Sequence, residues 1–146
     1  MVWRRKSDNI GVVHGVWGEE VAVEFLRVHG YEILDRNVRP LSRDRRLELD
    51  IVAYDRLYDT IVFVEVKQHR ARSPYARRLR SIDRHKRDLL RRACRAWVLK
   101  NHWQGGYRFD VIEVYGEPRS RAKAEIDHIP NVKLFVNADR FVDWDN

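Results

Sequence analysis

Four side chains in the middle of the chain have types and spacings that could do chemistry: Glu48, Asp50, Glu65 and Lys67. Two extended runs hold them, Leu47–Tyr54 and Thr60–Lys67, joined by a short turn, Asp55 to Asp59. Side chains alternate faces along a strand, so Glu48 and Asp50 share one face, opposite Leu47, Leu49 and Ile51. On the second run, Ile61, Phe63, Glu65 and Lys67 share a face, opposite Val62, Val64 and Val66. A symmetric turn has its centre between Leu57 and Tyr58. Asp50 then falls opposite Glu65, and Glu48 opposite Lys67. Three carboxylates gathered with one lysine on a two-stranded ribbon repel one another and favour a cation. Hydrolysis of a phosphodiester at neutral pH needs a nucleophile made from water and a way to offset charge on the phosphate. A divalent cation supplies both. Mg²⁺ or Mn²⁺ suits oxygen ligands and needs only one or two carboxylates from the protein. Asp50 and Glu65 at about 5 Å across the strands could share one ion. Lys67 could orient the attacking water or offset transition-state charge. The other reading is a ladder of ion pairs on a solvated sheet, worth little. Ile61 and Phe63 on the same face argue that one end of it is covered.

The elements around the ribbon follow from the apolar pattern. A helix over Val13–His29 ends at Gly30, with Trp17, Val21, Ala22, Phe25, Leu26 and Val28 as its apolar stripe. Glu19 projects at the edge of that stripe, where an ordinary helix-boundary residue is the simpler reading. Tyr31–Val38 reads as a strand, and with the ribbon it makes a three-strand antiparallel meander. After a polar loop through Ser73-Pro74, a second helix spans about Ser81–Asn101. Ile82, Leu89, Leu90, Ala93, Ala96 and Trp97 form its inner stripe. Lys86 projects on that inner side, where it either snorkels to solvent or points toward the acidic patch. The helix has the length of a crossover that sets Tyr107–Tyr115 parallel to an earlier strand. Ala124–Ile129 and Val132–Val136 read as short extended pieces. Residues 1–11 read as a loose arm and 137–146 as a polar tail, with Trp3, Phe141 and Trp144 as anchor candidates. The 146 residues fit one domain.

Charge is concentrated. The net charge is +7, yet eleven Lys or Arg between Arg70 and Arg95 face only Asp83 and Asp88, a local +9. The rest of the chain is therefore at −2. A near-neutral domain with one cationic segment suits a polyanion, and nucleic acid is the commonest. Arg70, Arg72, Arg77, Arg78, Arg80, Arg84, Lys86, Arg87 and Arg91 are the residues expected to contact it, unless the segment is only a solvated helix face. The single cysteine, Cys94, excludes an internal disulfide and fits a reducing, cytoplasmic setting. No run is long and apolar enough for a membrane span, and the basic N-terminus lacks the apolar stretch of a secretory signal.

Leu49-Asp50 followed by Val64-Glu65-Val66-Lys67 resembles the core of PD-(D/E)xK nucleases. More closely, Gly18-Glu19-Glu20, Ala22, Phe25-Leu26, Gly30-Tyr31, Ile33-Leu34, Arg36-Asn37, Glu48 to Val52, Phe63 to Lys67, Lys86 and Arg108 to Val111 resemble the YraN family. That family is predicted to be endonuclease-like and related to archaeal Holliday-junction resolvases. The likeness covers roughly Gly15 to Val114. It implies an α/β, restriction-endonuclease-like αβββαβ core, its mixed sheet flanked by helices. It implies Asp50 and Glu65 as metal ligands, Lys67 as the catalytic lysine, and Glu19 as a further metal ligand from the first helix. Glu48 and Gln68 take supporting places, and Asp110 a buried structural one. Leu47 stands where the family usually has glycine, and Gln68 where threonine is common. The function implied is a Mg²⁺- or Mn²⁺-dependent endonuclease acting on DNA, branched or damaged DNA included. A resolvase needs two sites and hence a homodimer. A non-catalytic nucleic-acid-binding module that keeps the fold is the alternative.

Overall fold

A computed structural model of the chain describes residues 9–41, 48–72 and 84–132. The elements run α1 (Asn9–Val28), β1 (Tyr31–Val38), β2 (Leu49–Asp55), β3 (Thr60–His69), α2 (Arg84–Lys100), β4 (Gly106–Tyr115) and β5 (Glu125–Ile129). The strands lie side by side in chain order in one five-stranded sheet. β1, β2 and β3 form the expected antiparallel meander. α2 carries the chain across, so that β4 runs parallel to β3, and β5 returns antiparallel along β4. A mixed sheet with a helix on each face is the arrangement of a restriction-endonuclease-like core.

Both faces of the central strands are covered, which is why Ile61–Val64 and Val111–Val114 are nearly all buried. On one face Ala22, Val23 and Leu26 of α1 pack over Ile51, Ala53, Val62, Val64, Ile112 and Val114. On the other, Leu89, Leu90, Ala93, Cys94 and Trp97 of α2 pack over Val52, Ile61, Phe63, Phe109 and Val111. Each fully buried Leu, Ile or Phe contributes about 1.5–3 kcal/mol of transfer free energy. Phe63 sits at the centre of the second core, edge-on to Trp97 and to Tyr107. Among the described residues, no helix is long and apolar enough to cross a membrane.

Some expectations need correction. α1 begins at Asn9, so residues 9–11 belong to the helix and not to a loose arm. Val28 is 71% exposed, because packing ends at Leu26 and Val28 is the last residue of the helix. Val132 is not in a strand; its N–H donates to the Phe109 carbonyl at 2.7 Å. Ile82, Leu47, residues 133–136, Trp3, Phe141 and Trp144 lie outside the described residues.

β1 carries one extra residue. Its register against β2 shifts between Ile33 and Asp35, so Leu34 has no partner and is 42% exposed. Continued without the shift, β1 would set Arg36 against Asp50. With it, Arg36 pairs with Ile51. Asn37 follows in the left-handed region at φ 52°, a conformation asparagine tolerates.

Candidate metal centre

The centre is a fork between β2 and β3. Their pairing runs from Asp55↔Thr60 to Ile51↔Val64, the register that the symmetric turn predicts. One step further Asp50 would face Glu65. There the Val66 N–H donates instead to the Asp50 carboxylate, at 2.8 Å from Oδ2. A side chain takes the place of a backbone acceptor, and the strands leave each other. Simple alternation fails at the same point. Leu49 joins the core under α2 and Ile51 the core under α1, so the two do not share a face as expected. Glu48 precedes β2 and accepts from Arg39 at 3.3 Å, and the expected cross-strand place opposite Lys67 is not formed.

Three carboxylates converge at the fork. One oxygen from each of Glu19, Glu48 and Asp50 lies within 4.8 Å of the others. Burial pushes the Asp50 acid up to about 6, against the Val66 hydrogen bond, and the charges of Glu19, Glu65 and Glu48 add to the rise. Burial likewise raises Glu19, against a hydrogen bond from Asn37 and the charge of Arg36. Arg36 lies 3.9 Å from Glu19 and 2.9 Å from Glu20. The β1 bulge thus sets Arg36 and Asn37 as partners of Glu19. Neither residue carries a role by its chemistry and spacing alone, although Arg36-Asn37 stands in the family motif.

Gly18 explains how α1 delivers Glu19. It is buried, and a Cβ there would stand 2.7 Å from the Gln68 Oε1 and 3.4 Å from the Gln68 Cβ. The absent side chain lets the helix pass close over β3, with the next residue at the fork. Gln68 is therefore on the α1 side of the site.

Glu65 faces the α2 side. Its Oε1 accepts from Lys86 Nζ at 2.7 Å and lies 3.1 Å from Lys67 Nζ. Its Oε2 is buried without a hydrogen-bond partner among the described residues. Lys86 thus takes the second of its two expected courses, toward the patch. It therefore sits at the acidic site. Burial opposes its charge most strongly, but the hydrogen bond and charge of Glu65, with smaller contributions from Lys67 and Asp50, together hold its pKa raised.

The other cations expected on one basic face are dispersed. Arg70 is 74% exposed and lies 3.7 Å from Glu117. Arg72 is bound by both oxygens of Asp127 at 2.9 Å and by Glu125, and its guanidinium lies 4.3 Å over the Tyr115 ring. It ties the end of β3 to β5. Arg87 is partly buried, and Arg91 donates to Asp88 at 3.0 Å. Arg77, Arg78 and Arg80 lie outside the described residues, as does the side chain of Arg84. Asp110 is fully buried and accepts from Arg108, His128 and the Asn131 N–H, the structural place expected of it.

The donor set fits a hard divalent cation. All the converging atoms are carboxylate oxygens, two of the acids are raised, chiefly by burial, and one buried Glu65 oxygen has no hydrogen-bond partner among the described residues. Fold and site together define an α/β protein of restriction-endonuclease-like architecture with an acidic fork at its sheet. The model of the uncharacterised protein family UPF0102, the YraN family, matches residues 18–114. UPF0102 proteins of Pelobacter propionicus and Alkaliphilus oremlandii are 39% and 38% identical to the chain over 118 and 122 residues. These spans cover 80% of this chain in both cases and 79% and 94% of the relatives. A UPF0102 protein of Caldicellulosiruptor saccharolyticus is 42% identical over 99 residues, 67% of this chain and 78% of its own. The chain belongs to the UPF0102 family.

Proposed function

We propose that the chain is a metal-dependent endonuclease that hydrolyses DNA phosphodiester bonds at the β2–β3 fork. The observation that carries this reading is the fork itself: one carboxylate oxygen each of Glu19, Glu48 and Asp50 within 4.8 Å, with a buried Glu65 oxygen that has no hydrogen-bond partner among the described residues. Asp50, Glu19 and Glu48 would hold Mg²⁺ or Mn²⁺, with Glu65 on the α2 side of the fork holding Lys67 and Lys86. Glu48 rises in this scheme from support to ligand. The cation's contribution is to acidify water and offset charge on the phosphate. Val66 fixes the Asp50 carboxylate through its N–H, so the ligand is oriented before a metal arrives. Lys67, anchored on Glu65, stands where it can hold the attacking water or the phosphate oxygens. Lys86 on the same oxygen fixes the position of the Glu65 carboxylate.

A cleavage assay on linear and branched DNA with Mg²⁺ or Mn²⁺ tests the proposal. The wild-type chain should cut, and Asp50→Ala or Lys67→Ala should lower the rate by about 100-fold or more. Wild type and Asp50→Ala cutting alike, or no cutting with either metal, would reject it. DNA binding that needs no metal and ends in no product would favour a binding module instead.

A further inference from the structure

The loop between β4 and β5, residues 116–124, is not part of the cationic segment that the composition singles out. It nevertheless ends at the same end of the sheet as the fork. β3 and β4 are parallel, and the Gly116 N–H donates to the His69 carbonyl at 2.8 Å. Gly116 has φ 142°, and a Cβ there would lie 3.2 Å from the Trp17 ring of α1. Trp17 stands next to Gly18, which touches Gln68. The loop is therefore seated beside α1 and the last residues of β3. Ser120 N–H to the Glu117 carbonyl and Ala122 N–H to Ser120 Oγ shape its turn.

Three cations of this loop, Arg119, Arg121 and Lys123, are exposed and have no ion pair among the described residues. The nearby carboxylates are already committed: Glu117 to Arg70, and Glu125 and Asp127 to Arg72. Between the end of β3 and this loop lies an open cleft of about 260 Å³, lined by Arg70, Arg72 and Lys123 and by Glu117 and Glu125, the two acids being those that pair with Arg70 and Arg72. We infer that this cleft and its loop are a second phosphate-binding surface, on the far side of the fork from α2, that grips the nucleic-acid backbone beside the cut. This rests on the nuclease reading of the fork. Lys123 on the cleft wall and Arg119 and Arg121 on the same loop, none with an ion pair among the described residues, fit a phosphodiester chain, whose affinity comes from neutralised phosphates. The substrate would then lie across the end of the sheet, held from the α2 side and from the β4–β5 side.

Fluorescence anisotropy of a labelled DNA duplex, in EDTA and over a range of salt, tests the surface on the full chain. Arg119→Ala/Arg121→Ala/Lys123→Ala should bind at least tenfold more weakly at low salt. Its log–log salt slope should shrink by about 2–3, at about 0.9 per lost contact. Arg56→Ala/Lys100→Ala, at the opposite end of the sheet, should keep nearly all of the wild-type affinity. The Mn²⁺-induced rise in Tm should be the same in all three proteins, showing an intact fork. A triple variant that binds with wild-type affinity and slope, or a control that loses as much, overturns the second surface and leaves the fork's assignment standing. Wild type that binds no DNA, but still gains Tm with Mn²⁺, overturns both the surface and the nucleic-acid reading.

Discussion

Asp50 is the residue on which the site turns, and its titration has a definite sign. Its folded value of about 6 lies above the usual 3.8, so burial favours the protonated acid. The contribution to stability is full below about pH 4 and is lost as pH rises through about 6. In EDTA, Tm should therefore decline between pH 5 and 7.5 by an amount that Asp50→Asn removes. Asn keeps an acceptor for the Val66 N–H, so this variant should be more stable than wild type at pH 8 by about 2 kcal/mol. With saturating Mn²⁺ the order reverses, and the metal-induced rise in Tm grows with pH over the same range. A metal effect independent of pH would mean that Asp50 is not a ligand. Lys86 makes a second residue-scale prediction. Lys86→Met leaves Glu65 with Lys67 alone, so cleavage should fall several-fold while the Mn²⁺ shift in Tm stays, read by single-turnover kinetics beside thermal melts. Strand parity singles out Asp50, Glu65 and Lys67, but it sets Asp50 opposite Glu65, where the Val66 N–H bond to Asp50 stands instead. It could not show Glu48 joining Glu19, because that meeting depends on where α1 crosses the sheet.

At the scale of elements, periodicity and turn chemistry told most. β1 has the limits its pattern suggests, the β2–β3 register has its centre between Leu57 and Tyr58, and the α2 crossover makes β4 parallel. Two local events were hidden. Asp50 replaces a backbone acceptor and opens the fork, which no alternation of apolar residues encodes. The unpaired Leu34 in β1 turns Arg36 and Asn37 to α1, and a bulge leaves only a faint trace in an otherwise regular strand. Gly116 is where two elements meet under backbone constraint. Gly116→Ala must hold a positive φ and press on Trp17, at a cost of about 1–3 kcal/mol in urea unfolding. If it melts like wild type, the loop is not seated as described.

At the scale of the molecule, the scaffold and the site draw on different charges. Arg108 holds Asp55 at 2.9 Å, the fully buried Asp110 at 3.1 Å, and the Tyr31 hydroxyl at 3.0 Å. Arg108→Met leaves two carboxylates short of a cation and should cost about 3–5 kcal/mol by urea unfolding. The Mn²⁺ response of the molecules that stay folded should be unchanged. Composition revealed an excess of positive charge but not its layout. Lys86 and Arg72, which look like parts of one basic run, are held in separate acidic settings on the same end of the sheet. The central claim is that the β2–β3 fork holds a divalent cation through its own carboxylates. Anomalous diffraction from a crystal soaked in Mn²⁺ at pH 8 tests it most directly. The account predicts one strong peak within coordination distance of Asp50, with Glu19, Glu48 or Glu65 in its shell. A crystal soaked to millimolar Mn²⁺ with no peak at the fork, or with its only peak elsewhere, would contradict it.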